Sequence, residues 1–380
     1  MYPHQTERLT AALEAGGLQA LVAASPANVA YVTGFWSLAR AVSPANETYA
    51  VVTHGGTALI VPAIDELAAE GADADHVVRY GRFVLDRGGR PPAGGEAAVD
   101  AAAAVGAALA ALGVSSGRVG LDDERLPGAR ARILTERLAK FTLAPASPAL
   151  SAARAVKSPY EIDCLQQALR IAEEAVNEVL AMLRPGVTER EAVVTFEHEI
   201  ARRGAAPDCT IIAFGPDSAV PAPWPGDRAL RQGDLVRFDL GCVVKGYRSD
   251  VARMAVMGEP TDRQQTLFDA LHTGLEAALD AVRPGADGGS VFTAAVDAVR
   301  AAGLPGFDRH HVGHGIGLET VEAPWLAPGG GALEMGMVLR VETPYYVVAE
   351  AGLNVKDTAL VTRSGAHVLN RSHRGLVVLD

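Results

Sequence analysis

Asp239 and Asp250 lie on two apolar runs, 235–244 and 247–257, separated only by Lys245-Gly246. Read as a two-residue hairpin loop, that pair sets 244 opposite 247 and 239 opposite 252, which leaves Asp250 one diagonal step from Asp239 on the same face. Buried like charges are costly unless a cation or protons neutralise them, so the pair calls for a partner. Taken alone, it is equally compatible with solvated surface acids. In His310-His311-Val312-Gly313-His314-Gly315-Ile316-Gly317, three glycines bracket a histidine and permit the close backbone approach that aims a side chain into a cleft; a structural histidine fits the same loop. Gly336-Met337-Val338-Leu339-Arg340-Val341-Glu342 places an acid inside an apolar strand, as a ligand or as the partner of Arg340 or another base. Two aspartates, a histidine and a glutamate form a hard, oxygen-rich metal set with one imidazole.

The elements that must position these groups fall into two domains, 1–155 and 156–380. The first is α/β. An amphipathic helix over 7–15 stops at Gly16-Gly17, strands follow at 20–24, 49–53, 58–61 and 118–121, and an Ala-rich helix covers 99–112. Pro91 to Gly95 reads as a surface loop. Pro145 to Pro148, with the residues before Lys157, reads as the interdomain connection. Beyond Pro159 the elements lengthen. Ile162, Leu165, Leu169, Ala172, Val176, Val179 and Leu183 step by three and four along one helix face that ends at Pro185-Gly186. Thr188 and Glu191 form a capping box for a second helix closing at Gly204. Arg184-Pro185-Gly186 and Gly204 recur 99 positions later as Arg283-Pro284-Gly285 and Gly303. This points to a duplicated α+β unit about a pseudo-twofold, with a site between its halves.

Composition bounds the partners. The chain has 380 residues, 49% of them hydrophobic and 21% charged, which fits two soluble globular domains of ~150–200 residues. Its 34 basic and 45 acidic residues give a net charge of −11, which disfavours nucleic acid and anionic membrane surfaces. No run approaches the ~20 apolar residues of a membrane span. Met1 to Gln5 shows no secretory signal pattern. Cys164, Cys209 and Cys242 are odd in number, far apart and without C-x-x-C spacing, so a reduced cytoplasm is expected.

The order D-L-G, G-Y-R-S-D, G-H-G-I-G-L and G-M-V-x-x-V-E resembles the pita-bread metallopeptidase family of methionine aminopeptidase, aminopeptidase P, prolidase and the metal-free creatinase. Ser25 to Phe35, S-P-A-N-V-A-Y-V-T-G-F, resembles the N-terminal signature of its two-domain members, and Lys157-Ser158-Pro159-Tyr160-Glu161-Ile162 resembles their entry into the catalytic domain. The resemblance implies a creatinase-like α/β domain followed by an α+β pita-bread domain. It also implies that Asp239, Asp250, His314 and Glu342 are four of five ligands to a dinuclear metal centre. At the fifth place the family reads G-x-x-x-E-D-T, whereas this chain reads Gly352-Leu353-Asn354-Val355-Lys356-Asp357-Thr358. Histidines expected after Pro221 and before Glu322 are Ala222 and Val321.

A lysine in place of a bridging glutamate leaves three carboxylates and one ammonium, a formal −2. That balances one divalent ion (Mn, Fe, Zn or Co) and not two, so the dinuclear state should be lost. Lys356 is expected beside Asp239, with Asp250, His314 and Glu342 holding one ion or none; alternatively, it turns away to pair with Asp357 or Glu322. A lysine among carboxylates stays charged and serves as an electrostatic stabiliser or proton donor rather than a base, leaving His310 and His311 for acid–base work. The expected activity is atypical hydrolysis of a C–N bond in a small amide, short peptide or cyclic amidine, similar to creatinase and ectoine hydrolase. The alternatives are a lyase or isomerase using the same cleft, an ordinary Xaa-Pro peptidase, and a non-catalytic ligand-binding pseudoenzyme. The resemblance further implies a homodimer in which Phe35-Trp36 approach the partner's cleft.

Overall fold

The computed structural model describes residues 3–86, 88, 97–124 and 126–380; the loop expected at 91–95 lies outside them. The chain divides into two compact units, Met1–Arg154 and Ala155–Asp380. In the first, helices α1 (Pro3–Gly16), α2 (Pro26–Thr33), α3 (Leu38–Val42), α4 (Ala101–Ala111), α5 (Gly128–Arg137) and α6 (Ser147–Ala155) accompany six strands. These are β1 (Ala20–Ala23), β2 (Tyr49–Thr53), β3 (Gly56–Pro62), β4 (His76–Tyr80), β5 (Arg118–Leu121) and β6 (Thr142–Pro145), ordered β4-β3-β2-β1-β5-β6 in one mixed sheet. Val22, Val51, Ile60 and Val119 of the sheet pack against Ala104, Ala108 and Leu109 of α4.

The S-P-A-N segment is a helix start. The Ser25 hydroxyl accepts from the Asn28 amide, Pro26 sits in the first turn where its missing N–H costs nothing, and Gly34 closes α2 at φ 68°. Buried Asp122 holds this start by accepting from the amides of Ala24 and Ser25, from Asn28 Nδ2 and from Ser147 Oγ. The stretch read as a linker is ordered structure instead: Pro145 ends β6 and Pro148 lies in the first turn of α6, both tolerated sites for proline. Leu150 and Ala153 then bury one face of that helix.

The second unit contains helices α7 (Pro159–Met182), α8 (Glu189–Arg202), α9 (Asp262–Ala281) and α10 (Gly288–Ala301). Its main strands are β7 (Ala206–Phe214), β8 (Leu235–Val244), β9 (Tyr247–Arg248), β10 (Val251–Met257), β11 (Gly313–Gly315), β12 (Glu322–Trp325) and β13 (Val338–Glu342). β14 (Tyr345–Val347), β15 (Ala351–Leu353), β16 (Lys356–Thr362), β17 (Gly365–Val368) and β18 (Val377–Leu379) complete it. The principal sheet runs β12-β11-β13-β16-β10-β8-β7. The capping box of Thr188 and Glu191 is present, and the duplication is real. Gly186 N donates to Leu230 O, and Leu230 N donates to Val187 O. Gly285 with Leu333 and Leu333 with Ala286 repeat the pattern. Leu339 and Val341 of β13 pack with Leu271, Leu275, Val296 and Val299 of α9 and α10, so the alternate residues of β13 face away from that core. Among the described residues, no helix is long and apolar enough to cross a membrane.

One pinch fixes the position of Asp250. A Cβ at Gly241 would fall 2.0 Å from the Ser249 carbonyl oxygen, so only glycine lets the strands close there. Gly241→Ala should lower stability by about 1–3 kcal/mol, read as a fall in urea midpoint. Gly306→Ala, with no heavy atom within 4 Å of its added Cβ, should stay within ~0.5 kcal/mol of the parent.

Candidate functional site

Lys245 and Gly246 have φ of 51° and 87°, the left-handed pair of a tight hairpin turn. Val244 therefore faces Tyr247, and Asp239 faces Ala252. The register continues across the sheet, because Ala252 faces Lys356 and Lys356 faces Glu342. Asp239, Ala252, Lys356 and Glu342 thus form one row over four strands, on one face. Alanine at 252 leaves room for the lysine stem to lie over it. Lys356, 1% exposed, places its Nζ 2.7 Å from Asp239 Oδ1, 2.7 Å from Asp250 Oδ1 and 3.8 Å from Glu342 Oε2. It does not pair with Asp357 or Glu322. Asp357 is held by Arg253 and Arg374, and Glu322 by Lys157 at 3.1 Å.

Two further cations enter this face. Arg340, two residues before Glu342 and opposite both His314 and Thr358, bonds Asp250 Oδ2 through Nη1 and Glu342 Oε1 through Nη2, the latter at 2.6 Å. Arg237, fully buried two residues before Asp239, donates to the carbonyls of Ser218, Val220 and Pro221 and reaches Asp239 Oδ2 at 3.5 Å. Asn354 Nδ2 lies 3.1 Å from Asp239 Oδ2 and 3.5 Å from Glu342 Oε2. Every oxygen of the three carboxylates therefore faces an N–H donor. The formal charge of the face is zero rather than the −2 expected from three carboxylates and one ammonium, because Arg340 and Arg237 add two cations to Lys356.

The titration behaviour follows from this packing. Burial alone would raise the Asp250 carboxyl, but Arg340 and Lys356 outweigh it and hold it below its ordinary value. Burial opposes the Glu342 charge as well, and the same two cations pull its pKa down to about 2. Lys356 is lowered by burial and by Arg340, yet the three carboxylates win and hold it above the usual lysine value. It is a fixed positive charge.

The histidines form a separate row. His314 lies opposite Arg340 on one side and Trp325 on the other, and its Nδ1 meets the Gly315 carbonyl at 2.8 Å. His311 accepts from the Gly313 amide at 3.2 Å and places Nδ1 3.8 Å from Glu342 Oε1. Burial, and for His314 also Arg340, lowers both to about 4, so both are neutral at pH 7. His310 is exposed and meets the edge of His311 at 4.5 Å between centroids, one step outside the cage. Trp325, within 5.4 Å of the rings of His311 and His314, adds an apolar wall that the sequence reading did not single out. Ala222 and Val321 are exposed and supply no polar group. In the first unit, Phe35 is buried and Trp36 is 41% exposed.

The second unit matches metallopeptidase family M24 over residues 163–363, and the first matches the creatinase/prolidase N-terminal domain over residues 5–156. The chain belongs to metallopeptidase family M24. Among M24 relatives, an Xaa-Pro dipeptidase of Pyrococcus furiosus is 31% identical over 227 residues, 59% of this chain and 65% of that protein, just under two thirds of its length. The uncharacterized peptidase YqhT of Bacillus subtilis is 30% identical over 240 residues, 62% of this chain and 68% of that protein. The solved dipeptidase PepE from Mycobacterium ulcerans is 28% identical with a TM-score of 0.82, over 99% of this chain and 97% of that one. By family, this is a hydrolase of the Xaa-Pro peptidase type.

A metallopeptidase family implies divalent metal, and the donor set tests that implication. The residues present do not fit a metal pair. The carboxylate oxygens that would ligate are held by Lys356, Arg340 and Asn354, and among the described residues no group of three or more His, Cys, Asp or Glu is placed to hold an ion.

Lys356→Met should cost about 3–5 kcal/mol of stability, since it strands Asp239 and Asp250 on a dry face; urea denaturation measures it. His311 and His314 have folded values of about 4 against 6.5 unfolded, so the unfolded chain binds more protons between those values. Stability is therefore lost as pH falls from 6.5 towards 4, by on the order of 3 kcal/mol for His314. The His314→Gln variant should show a shallower loss in urea melts at pH 7 and 4.5, and an unchanged slope would contradict this.

Proposed function

We propose that the protein is a hydrolase of the M24 fold that cleaves a C–N bond in a small amide, short peptide or cyclic amidine without a dinuclear metal centre. The observation that carries this reading is Lys356 Nζ at 2.7 Å from both Asp239 and Asp250, a fixed charge where the family's resemblance leads one to expect a bridging carboxylate. Lys356 and Arg340 are rigidly held N–H donors whose charge the three carboxylates balance, so a polar substrate group is recognised here by hydrogen bonding to a fixed, charge-compensated array. His311, neutral at pH 7, is our candidate for taking a proton from attacking water and returning it to the leaving nitrogen, a step in which its Nδ1 must first release the Gly313 amide hydrogen bond. Taking that proton turns its 3.8 Å approach to Glu342 into an ion pair. His310 is the second candidate for proton transfer. A lyase or isomerase that uses Lys356 as its base is disfavoured, because the ammonium already serves two carboxylates and is held charged. The free thiols of all three cysteines support action in a reducing cytoplasm, and we expect a homodimer by analogy with two-domain relatives.

Turnover is assayed on Xaa-Pro dipeptides with added Mn²⁺, Co²⁺ or Zn²⁺, and on a panel of small amides and cyclic amidines with and without EDTA. The expected result is weak or no Xaa-Pro cleavage and EDTA-insensitive hydrolysis within the small-molecule panel. Robust, metal-dependent Xaa-Pro turnover would overturn the proposal.

A further inference from the structure

The two halves of the duplicated unit carry one motif in common beyond their helices. Arg237-Phe238-Asp239 of β8 and Arg340-Val341-Glu342 of β13 stand 103 positions apart, and each follows a left-handed glycine by the same interval, Gly233 at φ 83° and Gly336 at φ 90°. Both acids take part in the same row, Asp239 facing Ala252 and Glu342 facing Lys356. In each strand the arginine shares the acid's face, since residues two apart point the same way. The two arginines then diverge. Arg237 turns its guanidinium to the carbonyls of Ser218, Val220 and Pro221 and only grazes Asp239 at 3.5 Å. Arg340 turns into the cage and clamps Asp250 and Glu342 together.

We infer that Arg340 is a second resident cation beside Lys356, and that the two together occupy the space between Asp239, Asp250 and Glu342 that a metal pair would need. This rests on the reading above of hydrolysis without a dinuclear metal centre. Lys356 joins Asp239 to Asp250 and Arg340 joins Asp250 to Glu342, so Asp250 is shared between two cations, one at each oxygen. A chain of carboxylate, ammonium, carboxylate, guanidinium, carboxylate is complete as it stands. Restoring an acid at 356 removes one cation but leaves Arg340 holding one oxygen each of Asp250 and Glu342. Lys356→Glu alone therefore reopens the cage only in part, and the second position needs Arg340 replaced by a small strand-forming residue such as threonine.

The test uses the full chain as wild type, Lys356→Glu, Arg340→Thr and the double variant. Each is equilibrated with Mn²⁺, gel-filtered, and read for bound metal by inductively coupled plasma mass spectrometry and for a Mn²⁺-dependent rise in Tm. The expected result is no bound Mn²⁺ and no Tm shift for wild type, at most one equivalent for Lys356→Glu, and two equivalents with a clear Tm rise for the double variant. Two equivalents on Lys356→Glu alone would overturn the role of Arg340 while leaving metal-independent hydrolysis standing. Metal uptake by wild type together with Xaa-Pro turnover would overturn both. A folded double variant that binds no metal would also overturn the inference. Should the double variant fail to fold, the wild-type and Lys356→Glu stoichiometries decide it by the same criteria.

Discussion

Three carboxylates on one dry sheet face repel one another, and the rest of the second unit is arranged around what neutralises them. Moving an ion into a low-dielectric interior costs several kcal/mol after relaxation, so Asp239, Asp250 and Glu342 persist as anions only because positive charge sits between them. Lys356 and Arg340 provide it from the same face. The register makes this possible: Asp239, Ala252, Lys356 and Glu342 share a row, the small residue at 252 leaves the lysine a path, and the glycine at 241 lets Ser249 close in and set Asp250. Remove any of these and the charges no longer meet. Leu271, Leu275, Val296 and Val299 of α9 and α10 pack against Leu339 and Val341 of β13, on the side away from the row.

Much of this was legible in the residues alone. The hairpin at Lys245-Gly246 follows from its length and from the glycine, and its register places Asp239 opposite Ala252 as counted. The helix periodicity from Ile162 to Leu183, the capping box at Thr188 and the helical repeat are local signals, which is why they transfer directly to structure. The interdomain connection expected at 145–148 and before Lys157 holds only in its second part: the units divide between Arg154 and Ala155, whereas Pro145 and Pro148 sit at an element end and in a first turn. Arg340 was considered only as a partner for Glu342. The alternation rule placed it, and Arg237, on the acids' own face, and that would have corrected the charge count. The paired Arg-x-acid motif escaped notice because the repeat shifts from 99 positions in the helices to 103 in the strands, so a single offset cannot find both. The part of Asn354 was not legible for a different reason: it depends on tertiary contacts that no local pattern encodes.

The fold is that of metallopeptidase family M24, and in this structure the space between its three carboxylates is filled by the side chains of Lys356 and Arg340. A resident ammonium and guanidinium, paired to three carboxylates, do not lower the pKa of a bound water as a metal does. In the proposed mechanism, proton transfer belongs to the neutral imidazoles at the edge of the cage. Ala222 and Val321 are exposed and apolar, and Trp325 packs against the rings of His311 and His314.

The account stands or falls on what occupies the space between Asp239, Asp250 and Glu342. Anomalous diffraction from wild-type crystals soaked in Mn²⁺, collected near the manganese edge, answers this directly. The account predicts no anomalous peak there, with the Lys356 ammonium and the Arg340 guanidinium in hydrogen-bonded density among the carboxylates. A strong peak between Asp239 and Asp250, with Lys356 displaced, would contradict it.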